Sequence, residues 1–542
     1  MYTHEVFNQS PVIDQLNLYS IDPILKHIAG KQDISWAEGR LSAYGEKLGQ
    51  QEWIRRGKHA NQYIPQFFPT NEKGFRVDEI VFHPAYHDLM ALATEYQVHS
   101  LPYTTERPHA HIVRFLLNFL DNQNEAGTNC PLTMTFAAVP PLQKYFVQAE
   151  EWIPKILNSV YDPANKPYFE KEGLTIGMAM TEKQGGSDVR ANTTQAQLED
   201  SNGDGEIYAL TGHKWFCSAP MCDAFLTLAQ TETGLSCFLM PRWKPDGTKN
   251  TFRIQRLKDK LGNKSNASSE LEMDKAFAWL LGPAGRGVAT IIEMVALTRY
   301  DCMIGSSSLM RRGLTEVLQH IKHRSVFGKK LIDQPLMRNV VADLCLELEA
   351  AVFMTYRAAQ CLDEASEKAQ QLLRIITPIG KYWITKRAIP FLGEAMECLG
   401  GNGYIEDNIL PRLYREAPVN AIWEGSGNVQ CLDLMRVLKK NPQLFQVLQA
   451  DLQASKGMVE RYDRYVDAFL KNMDQYTSSE FYARTFMTQL ALWVQASMMI
   501  RFGSLEKASL FCESRLSQHS SYQFGMLRNE PVVDQILAEY MF

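Results

Sequence analysis

The chain has 542 residues, of which 45% are hydrophobic and 22% are charged. This length is too great for one ordinary hydrophobic core and predicts about three packed domains, while the composition excludes a chain that is disordered throughout. The formal net charge of -5 excludes a surface that is basic everywhere, although a local basic patch could still bind nucleic acid.

The cysteines and the N-terminal residues indicate the cellular compartment of the protein. Ten cysteines are spread singly between Cys130 and Cys512, without a CxxC pair and without zinc-finger spacing to histidines. We expect reduced, mostly buried thiols, no disulfide framework and no metal site. Met1 to Leu16 lacks the apolar stretch of a signal peptide, and no run approaches the length of a membrane span. A cytoplasmic protein without membrane contact is expected.

The first half of the chain changes pattern once. Residues 1 to about 80 mix turn-forming residues with short helical patterns such as Ile34 to Leu48, and from Pro84 to Asn158 apolar residues recur at intervals of three and four, which is typical of helices. After Gly173 the pattern predicts a compact β domain, with a hairpin turn at Asn202 to Gly205. The predicted strands are Leu174–Met180, Thr193–Leu198, Ile207–Thr211, Ala224–Gln230, Ser236–Pro241, Phe252–Leu257 and Ser269–Met273.

Helical periodicity returns after Gly287. Pro378 and Pro390 are expected to kink or divide the third of four long helices, and the four together predict a bundle. The predicted helices are Val288–Arg324, Met337–Leu362, Ala369–Leu399 and Gly427–Lys439. Further helical segments follow from Asn441. The expected fold is therefore α+β multidomain, with helices, a middle β domain, a four-helix bundle and a C-terminal helical domain.

Two segments of the β region carry the residue types of a ligand site. Met180 to Asp188 places two glycines beside hydroxyl groups after an apolar strand, so its backbone N–H groups could cradle phosphate or ring oxygens; a polar surface loop is the alternative. Gly212 to Ser218 ends a strand with adjacent aromatics and a hydroxyl, which suits a flat ring. An ordinary strand with core aromatics is the alternative there.

Two segments of the helical region have phosphate-binding interpretations. Arg324, in the run to Gly328 with Gln334 beyond, could pair with a pyrophosphate through its planar guanidinium. The alternative is an ordinary helix C-cap. Glu397 to Tyr404 is glycine-rich, but no strand precedes it, and a tight helix-to-loop turn explains it equally well.

The last segment, Ile422 to Asn428, contains a candidate base. Glu424 lies between a tryptophan and a glycine ahead of a helix, and an apolar wall would raise its carboxyl pKa and suit it to abstract a weakly acidic C–H proton. The alternative is a helix start capped by Ser426 or Asn428, with Glu424 solvated.

In order and approximate spacing, these five segments resemble the flavin-dependent acyl-CoA dehydrogenase family over residues 84 to 440. The resemblance is closest to its AidB branch, the alkylation-response flavoproteins of bacteria. The segments that carry the closer resemblance are Val6–Gln9, Cys130–Ala138, Met180–Val189, Arg256–Asn263, Leu413–Glu416 and Trp423–Asn428.

The resemblance implies FAD held between the β-rich middle segment and the helical segment, an acyl-CoA or other small apolar substrate, and a homotetramer. Glu424 would be the catalytic base that removes a proton α to a thioester carbonyl while the β-hydride passes to flavin N5. Arg324, together with Gln334, would reach an FAD of a neighbouring subunit. The implied cofactor contacts are Met180, Thr181, Glu182, Gln184, Gly186, Ser187, Phe216, Ser218, Arg324, Ile422, Trp423, Gly425, Ser426, Gly427 and Asn428.

The chain departs from the family at Lys183, Gln184 and Gly185, where many members have proline and alanine or glycine, so the resemblance leaves the acyl-CoA pocket undefined. The expected domains are an N-terminal extension, a helical domain, a β domain, a bundle and a C-terminal helical domain, over residues 1–83, 84–172, 173–283, 284–440 and 441–542.

The AidB branch also implies binding of double-stranded DNA and protection of it from alkylating agents, with at most weak dehydrogenase activity. Arg436, Lys439 and Lys440 form a basic cluster that could meet phosphates. Against this, residues 441–542 contain nine Lys/Arg and eleven Asp/Glu, so that domain is not basic. The leading hypothesis is a DNA-associated flavoprotein. The alternative is a fully active acyl-CoA dehydrogenase without a DNA role, and a flavin-bearing scaffold is the third hypothesis.

Overall fold

The computed structural model describes residues 3–203, 205–517 and 523–542. Before residue 173 the chain is mainly helical, as expected from Pro84 onward, but the hairpin β1–β2 was not predicted. Pro69, which indicated only a turn, lies at an irregularity in the pairing of these strands, where its missing N–H costs no ladder bond. The elements are α1 Pro23–Lys31, α2 Glu38–Leu48, α3 Gln51–Gln62, β1 Gln66–Thr70, β2 Arg76–Val81, α4 Pro84–Glu95, α5 Leu101–Thr104, α6 Ala110–Asp121, α7 Asn129–Tyr145 and α8 Ala149–Ile156.

The predicted β domain is confirmed. Its strands are β3 Ile176–Ala179, β4 Gln195–Asn202, β5 Gly205–Ser218, β6 Ala224–Thr231, β7 Gly234–Pro241, β8 Phe252–Leu257 and β9 Ser268–Leu280. Strands β6, β7, β9, β5 and β4 pair in a closed ring, with β3 beside β6 and β8 beside β9. Asn202 pairs with Gly205 across the predicted hairpin, and Asp204 lies outside the described residues. Closure leaves few open strand edges, which stabilises the domain as a platform.

The C-terminal half is helical. Its elements are α9 Gly287–His323, β10 Ser325–Val326, β11 Lys329–Lys330, α10 Pro335–Glu364, α11 Glu367–Cys398, α12 Gly401–Tyr404, α13 Leu410–Ile422, α14 Gly427–Lys440, α15 Gln443–Leu452, α16 Glu460–Lys471, α17 Met473–Thr477, α18 Ala483–Phe502, α19 Leu505–Arg515 and α20 Glu530–Tyr540. All four predicted long helices are present.

Two expectations about these helices need correction. Helix α11 runs unbroken through Pro378 and Pro390, so the prolines do not divide it. A buried helix can lose single backbone bonds when packing holds both halves in place. Helix α13 was not predicted. Pro411 lies in its first turn, where no helical N–H is needed, and Pro418 lies inside it.

The chain divides into two compact units, each assembled from separate stretches. The first contains Met1–Gln51, Arg107–Asn124 and Cys302–Phe542, and the second contains Glu52–Glu106 and Glu125–Asp301. The β domain belongs to the second unit, where Trp152 of α8 packs against Trp279 and Tyr168 with ring centroids 6.0 and 4.3 Å apart. The five linear domain bounds stay a prediction.

Two bulk expectations can be compared with the described residues. All ten cysteines lie in the described part of the chain, and each is buried with a free thiol, as predicted. Over the same part of the chain, none of the helices combines the length and the apolar character needed to span a bilayer.

Candidate functional site

The loop after β3 is exposed at its tip and anchored at its base. Gln184, Gly186 and Ser187 are exposed, and Gly185 has φ 144°, a backbone conformation that favours glycine. A Cβ on Gly186 would lie 2.5 Å from Thr181 Oγ1, so only glycine lets the loop fold back on that hydroxyl. Met180 is half-buried, and its carbonyl accepts a 3.0 Å hydrogen bond from Asn192 Nδ2.

The anchor of this loop is the Glu182 carboxylate. It is fully buried, pairs with Lys214 Nζ at 3.0 Å, and accepts hydrogen bonds from the backbone and side chain of both Thr193 and Thr194. Burial alone would raise the pKa of Glu182, but the charge of Lys214 and the hydrogen bonds outweigh it and hold that pKa far below its usual value. The Glu182 side chain is therefore committed to the protein, and a cofactor could reach this residue only through its backbone.

The residues that depart from the family have defined contacts. The backbone N–H of Lys183 donates to His213 Nε2 at 3.0 Å, a bond that proline could not make. Gln184 Nε2 donates to Glu182 Oε2 at 2.8 Å and to the carbonyl of Ala191 at 3.2 Å. The loop is therefore braced by a backbone N–H at position 183 and by the Gln184 side chain.

The aromatic end of β5 is surrounded by positive charge. Trp215 donates its backbone N–H to the carbonyl of Thr181 at 2.8 Å, which joins the two predicted segments of the β domain. Lys258 Nζ lies 3.3 Å from the centroid of the Trp215 ring and 4.6 Å from that of Phe216. Phe216 is 51% exposed, and Ser218 Oγ lies 3.3 Å from Ser268 Oγ. The strand end thus presents an uncovered ring, hydroxyl groups and a cation–π pair.

The cation beside these rings is held in place by an acid. Lys258 Nζ and Arg256 Nε both lie 2.7 Å from Glu270 Oε1. Burial alone would raise the pKa of Glu270, but the hydrogen bonds from Lys258 and Arg256 lower it overall, so the carboxylate is ionised. Lys258 belongs to a segment that carried the family resemblance, but nothing in the sequence indicated that it covers Trp215.

In the first unit, Glu424 lies in a tightly bound turn between α13 and α14. Its φ is 58° and that of Gly425 is 96°, so a non-glycine residue is held in the left-handed region. Lys381 Nζ donates to the carbonyls of Trp423 and Gly425 at 2.8 and 2.5 Å. Gln430 Nε2 donates to the carbonyls of Glu424 and Gly425 at 3.1 and 2.9 Å. These four bonds fix the backbone from which the Glu424 side chain projects.

The residues that hold this turn were missed in the sequence. Lys381 is 1% exposed and Gln430 is fully buried. The available signal was a single lysine within the apolar stretch of α11 that contains Ile375, Ile376 and Ile379, because a buried cation needs polar partners. What those partners are could not be deduced from spacing, since the turn lies more than forty residues along the chain.

The remaining predicted residues of this segment flank the turn. Ile422 is 65% exposed, and half-buried Trp423 donates from Nε1 to Asn420 Oδ1 at 3.1 Å. Ser426 occupies the N-cap position of α14, as one interpretation expected, but its side chain makes no capping bond. Asn428 Oδ1 accepts from Arg484 Nε at 2.8 Å. Helix α14 therefore begins at Gly427 with an exposed serine beside its first N–H groups, an arrangement that suits a phosphate oxygen.

Arg324 lies at the base of the two-stranded hairpin β10–β11 and is bonded within the chain. Its Nη1 donates to the carbonyl of Asn8 at 2.8 Å, and Asn8 Oδ1 accepts from the backbone N–H of Ser325 at 2.7 Å. Gln334 Nε2 donates to the carbonyl of Val326 at 3.1 Å. At the hairpin tip, Phe327 is 98% exposed with φ 51°. Arg324 is thus more than a helix C-cap, because it joins the N-terminal segment to this hairpin.

The glycine-rich segment from Glu397 forms a tight turn at the end of a helix, which was the alternative to a phosphate-binding loop. Helix α11 ends at Cys398, Gly400 takes φ 60°, and α12 follows at once. A Cβ on Gly403 would lie 2.2 Å from the carbonyl oxygen of Met396. Positive φ explains Gly400 and close backbone packing explains Gly403, whereas a Cβ on Gly401 would meet no atom within 4 Å.

The three predicted DNA contacts lie together at the end of α14. Arg436, Lys439 and Lys440 are exposed, and no ion pair to them occurs among the described residues. By contrast, Arg464 on α16 pairs with Glu460 at 3.3 Å. Cations in a last helical turn are also favoured by the helix dipole, so their position alone does not require a ligand.

Three successive parts of the chain match family models. These are the adaptive response protein AidB N-terminal domain over residues 8–163, the acyl-CoA dehydrogenase middle domain over 177–276 and the acyl-CoA dehydrogenase C-terminal domain over 285–439. Over 541 residues the chain is 43% identical to "Putative acyl-CoA dehydrogenase AidB" of Escherichia coli (strain K12), covering 99% of this chain and 98% of that protein. The chain belongs to the acyl-CoA dehydrogenase family.

Two further relatives agree with this membership of the acyl-CoA dehydrogenase family. Acyl-CoA dehydrogenase family member 11 of Caenorhabditis elegans is 31% identical over 453 residues, covering 80% of this chain and 70% of that protein. The crystal structure of Caenorhabditis elegans ACDH-11 in complex with C11-CoA has a TM-score of 0.86 at 26% identity, covering 98% of this chain and 97% of that one. The expected helical, β and helical architecture is therefore confirmed.

The acyl-CoA dehydrogenase family is FAD-dependent, and FAD is the cofactor that this membership assigns. The described residues are compatible with it in each unit. In the β domain, a Cβ added to Gly185 would meet no atom within 4 Å, and Phe216 offers an uncovered ring. In the bundle, α14 begins without a capping bond from the side chain of Ser426. Both features leave backbone and ring surface open to a ligand.

Proposed function

We propose that the chain is an FAD-dependent oxidoreductase that desaturates an acyl-CoA thioester at its α–β bond, with Glu424 as the catalytic base. The proposal rests on the turn in which Lys381 and Gln430 fix the backbone around Glu424. A base that removes a weakly acidic C–H proton must be held in a fixed position close to that proton. The 43% identity to an acyl-CoA dehydrogenase homologue and the C11-CoA complex of the nematode protein support an acyl-CoA substrate.

In the proposed reaction Glu424 would take the α-proton, and bound FAD would supply the acceptor for the β-hydride. The products are a 2-enoyl-CoA and reduced FAD, so protons and electrons balance. We propose that the cofactor is contacted by the loop of Met180, Thr181, Gln184, Gly186 and Ser187, by the backbone of Glu182, by Phe216 and Ser218, by the run from Ile422 to Asn428, and by Arg324 from a neighbouring subunit.

The decisive experiment begins with the visible absorption spectrum of the purified protein. We expect flavin bands that acyl-CoA thioesters bleach under anaerobic conditions. Glu424→Gln should retain the bands and lose the bleaching, because an amide cannot accept the α-proton. Glu480→Gln, which removes an exposed carboxylate elsewhere in the chain, should bleach like the native protein.

A colourless protein that FAD does not reconstitute would refute the proposal. Unchanged bleaching in Glu424→Gln would refute only the base. A stable flavin spectrum that no acyl-CoA perturbs would favour the third possibility, a flavin-bearing scaffold.

We propose further that the chain binds double-stranded DNA through Arg436, Lys439 and Lys440 and protects it from alkylating agents, with the dehydrogenase activity weak. The specific observation in favour is three exposed cations on one helix end without an ion-pair partner in the described chain. The match to the adaptive response protein AidB N-terminal domain supports the same role. Phosphate contacts of this type give salt-dependent binding with little sequence preference.

Fluorescence anisotropy with a labelled duplex at two salt concentrations tests this role. Replacing all three cations by alanine should weaken binding at least about tenfold and flatten its salt dependence, with the flavin spectrum unchanged. A control with the same loss of charge replaces the exposed residues Lys31, Lys73 and Lys368. Equal weakening in both triple variants would mean that net charge alone is responsible. Protection is measured as methylated bases in bound and free duplex after treatment with an alkylating agent.

We propose a homotetramer as the assembled form. Phe327, 98% exposed at the tip of the β10–β11 hairpin, and Leu336, 84% exposed shortly after it, support a subunit contact there. Light scattering should give four times the chain mass for the native protein and a smaller mass for Phe327→Ser. A monomeric native protein would contradict the assembly and the cofactor role of Arg324 across subunits.

A further inference from the structure

A cavity of about 400 Å³ lies within the second unit, and none of the predicted site residues lines it. It is bounded by β2, by α4, by the chain between α8 and β3 and by the residues around β6 and β7. For comparison, a cavity of about 150 Å³ holds a benzene molecule. The volume here therefore suits a ligand with a ring and one or two substituents.

Arg242 is a half-buried cation that lines this cavity. Its Nε is shielded from solvent and makes no hydrogen bond, and no carboxylate lies within ion-pair distance of its guanidinium among the described residues. Burial lowers the pKa of Arg242, and the nearby Asp223, Cys222 and Tyr161 offset that effect only in part. A guanidinium that is partly withdrawn from water, as this one is, is stabilised by a carboxylate or phosphate beside it.

Three of the acids that line or adjoin the cavity are paired with cations of the chain. Asp223 accepts from Lys171 Nζ and from the backbone N–H of Thr175, both at 2.8 Å. Asp78 pairs with Arg76 at 2.7 Å, and Asp162 pairs with Lys166 at 3.2 Å. Glu79 is exposed on β2. Apart from exposed Glu79, these acids are thus paired or hydrogen-bonded, whereas Arg242 has no ion pair among the described residues.

A second polar group is also unsatisfied. The Tyr86 hydroxyl is buried, its side chain is 1% exposed, and it has no hydrogen-bond partner. Burial raises the pKa of Tyr86 well above its usual value, so the group is a neutral donor. Around these two groups the wall is apolar, formed by Ile80, Val81, Phe82, Met90, Pro131 and Met221.

We propose that this cavity is a binding site for a small carboxylate with an apolar body. The guanidinium of Arg242 receives the carboxylate, the Tyr86 hydroxyl donates a further hydrogen bond to it, and the apolar wall covers the body of the ligand. The bound carboxylate would accept hydrogen bonds from Arg242 and from the Tyr86 hydroxyl. Polar groups withdrawn from water are stable when they have such partners.

The test is calorimetric titration of the full-length flavoprotein with 4-ethylbenzoate, its neutral counterpart 4-ethylbenzamide, and inorganic phosphate. We expect 4-ethylbenzoate to bind at least about tenfold more tightly than the amide, because only the carboxylate pairs with the guanidinium. Phosphate should bind more weakly, since it leaves the apolar wall uncovered. The visible spectrum should not change, because the cavity contains none of the predicted flavin contacts.

Three variants separate this site from other sites. Arg242→Met should weaken 4-ethylbenzoate at least about tenfold, Tyr86→Phe should weaken it less, and Arg253→Met, which removes an exposed arginine of β8, should have no effect. Tyr86→Phe deletes one hydroxyl and keeps the fold testable if Arg242→Met does not fold. The assignment is overturned if the amide or phosphate binds as tightly as 4-ethylbenzoate, or if 4-ethylbenzoate binds equally to Tyr86→Phe and the native protein. It is also overturned if 4-ethylbenzoate changes the flavin spectrum and its affinity is the same for Arg242→Met.

Discussion

At the residue scale, the backbone conformation of Glu424 depends on Lys381 and Gln430. Neither residue was predicted to belong to the site. Lys381 and Gln430 together donate four hydrogen bonds to the carbonyls of residues 423 to 425. These bonds offset the cost of a left-handed glutamate, which is of the order of 1 kcal/mol. Lys381 is therefore a positioning residue for the proposed base.

Removal of this support gives a direct prediction. In Lys381→Met the carbonyls of Trp423 and Gly425 lose a charged donor, and we expect the rate of flavin bleaching by acyl-CoA to fall up to about 100-fold, because small displacements of a reacting group have effects of that size. FAD content should be retained. Stopped-flow absorbance measures the rate, and Lys368→Met, at an exposed position of the same helix, is the control.

A native bleaching rate in Lys381→Met would mean that the turn holds its shape without the lysine. A loss of FAD together with the rate would assign Lys381 to cofactor retention instead of the placement of Glu424.

At the element scale, the hairpin β10–β11 is joined to the N-terminal segment through one asparagine. Asn8 has φ 55°, which asparagine tolerates better than most residues, and it exchanges two hydrogen bonds with the backbone of Ser325 while its carbonyl accepts from Arg324. A segment without regular secondary structure thus positions a predicted cofactor contact.

Asn8→Ala removes both side-chain bonds and disfavours the backbone conformation. We expect faster hydrogen exchange at the amide of Ser325, which donates to Asn8 Oδ1 at 2.7 Å in the native chain, and a lower affinity for FAD if Arg324 contacts it. Asn8→Asp keeps the acceptor and should protect that amide better than alanine does. Equal protection in all three proteins would show that the hairpin holds itself.

At the scale of the whole molecule, stability should depend on pH through His111, a half-buried histidine. Burial, followed by the charge of Arg114, lowers the pKa of His111 to about 4. In the unfolded chain this pKa is about 6.5. Between the two values the unfolded chain binds a proton that the folded chain does not, so the free energy of unfolding falls as pH drops from about 6.5 towards 4 and is unaffected above that window.

His111→Gln should remove this component. Comparing pH 7.5 with pH 5, the native protein should lose about 2 kcal/mol more from this site than the variant does. Urea unfolding at the two pH values measures the difference, and His4→Gln, at an exposed position, is the control. If the native protein and His111→Gln lose the same amount, the folded chain does not hold this histidine in its neutral form.

The sequence by itself determined the type of most elements and the identity of the family. The strands from β3 to β9 and the helices α9, α10, α11 and α14 follow from apolar periodicity, which is local and therefore readable along the chain. Helix α13 was not predicted; it contains one proline in its first turn and another inside it, and proline within a helix is uncommon. The five motif segments could be ordered and matched because their glycines and aromatics are also local signals.

Only the tertiary structure decided which side chains meet. The pair Glu182–Lys214 spans 32 residues, and Lys381 lies 42 residues before the carbonyl of Trp423 to which it donates. The unpartnered Arg242 likewise becomes visible only when the chain around it is folded. Such contacts depend on how distant segments pack, and burial then selects the partners because an unpaired polar group inside the protein costs free energy.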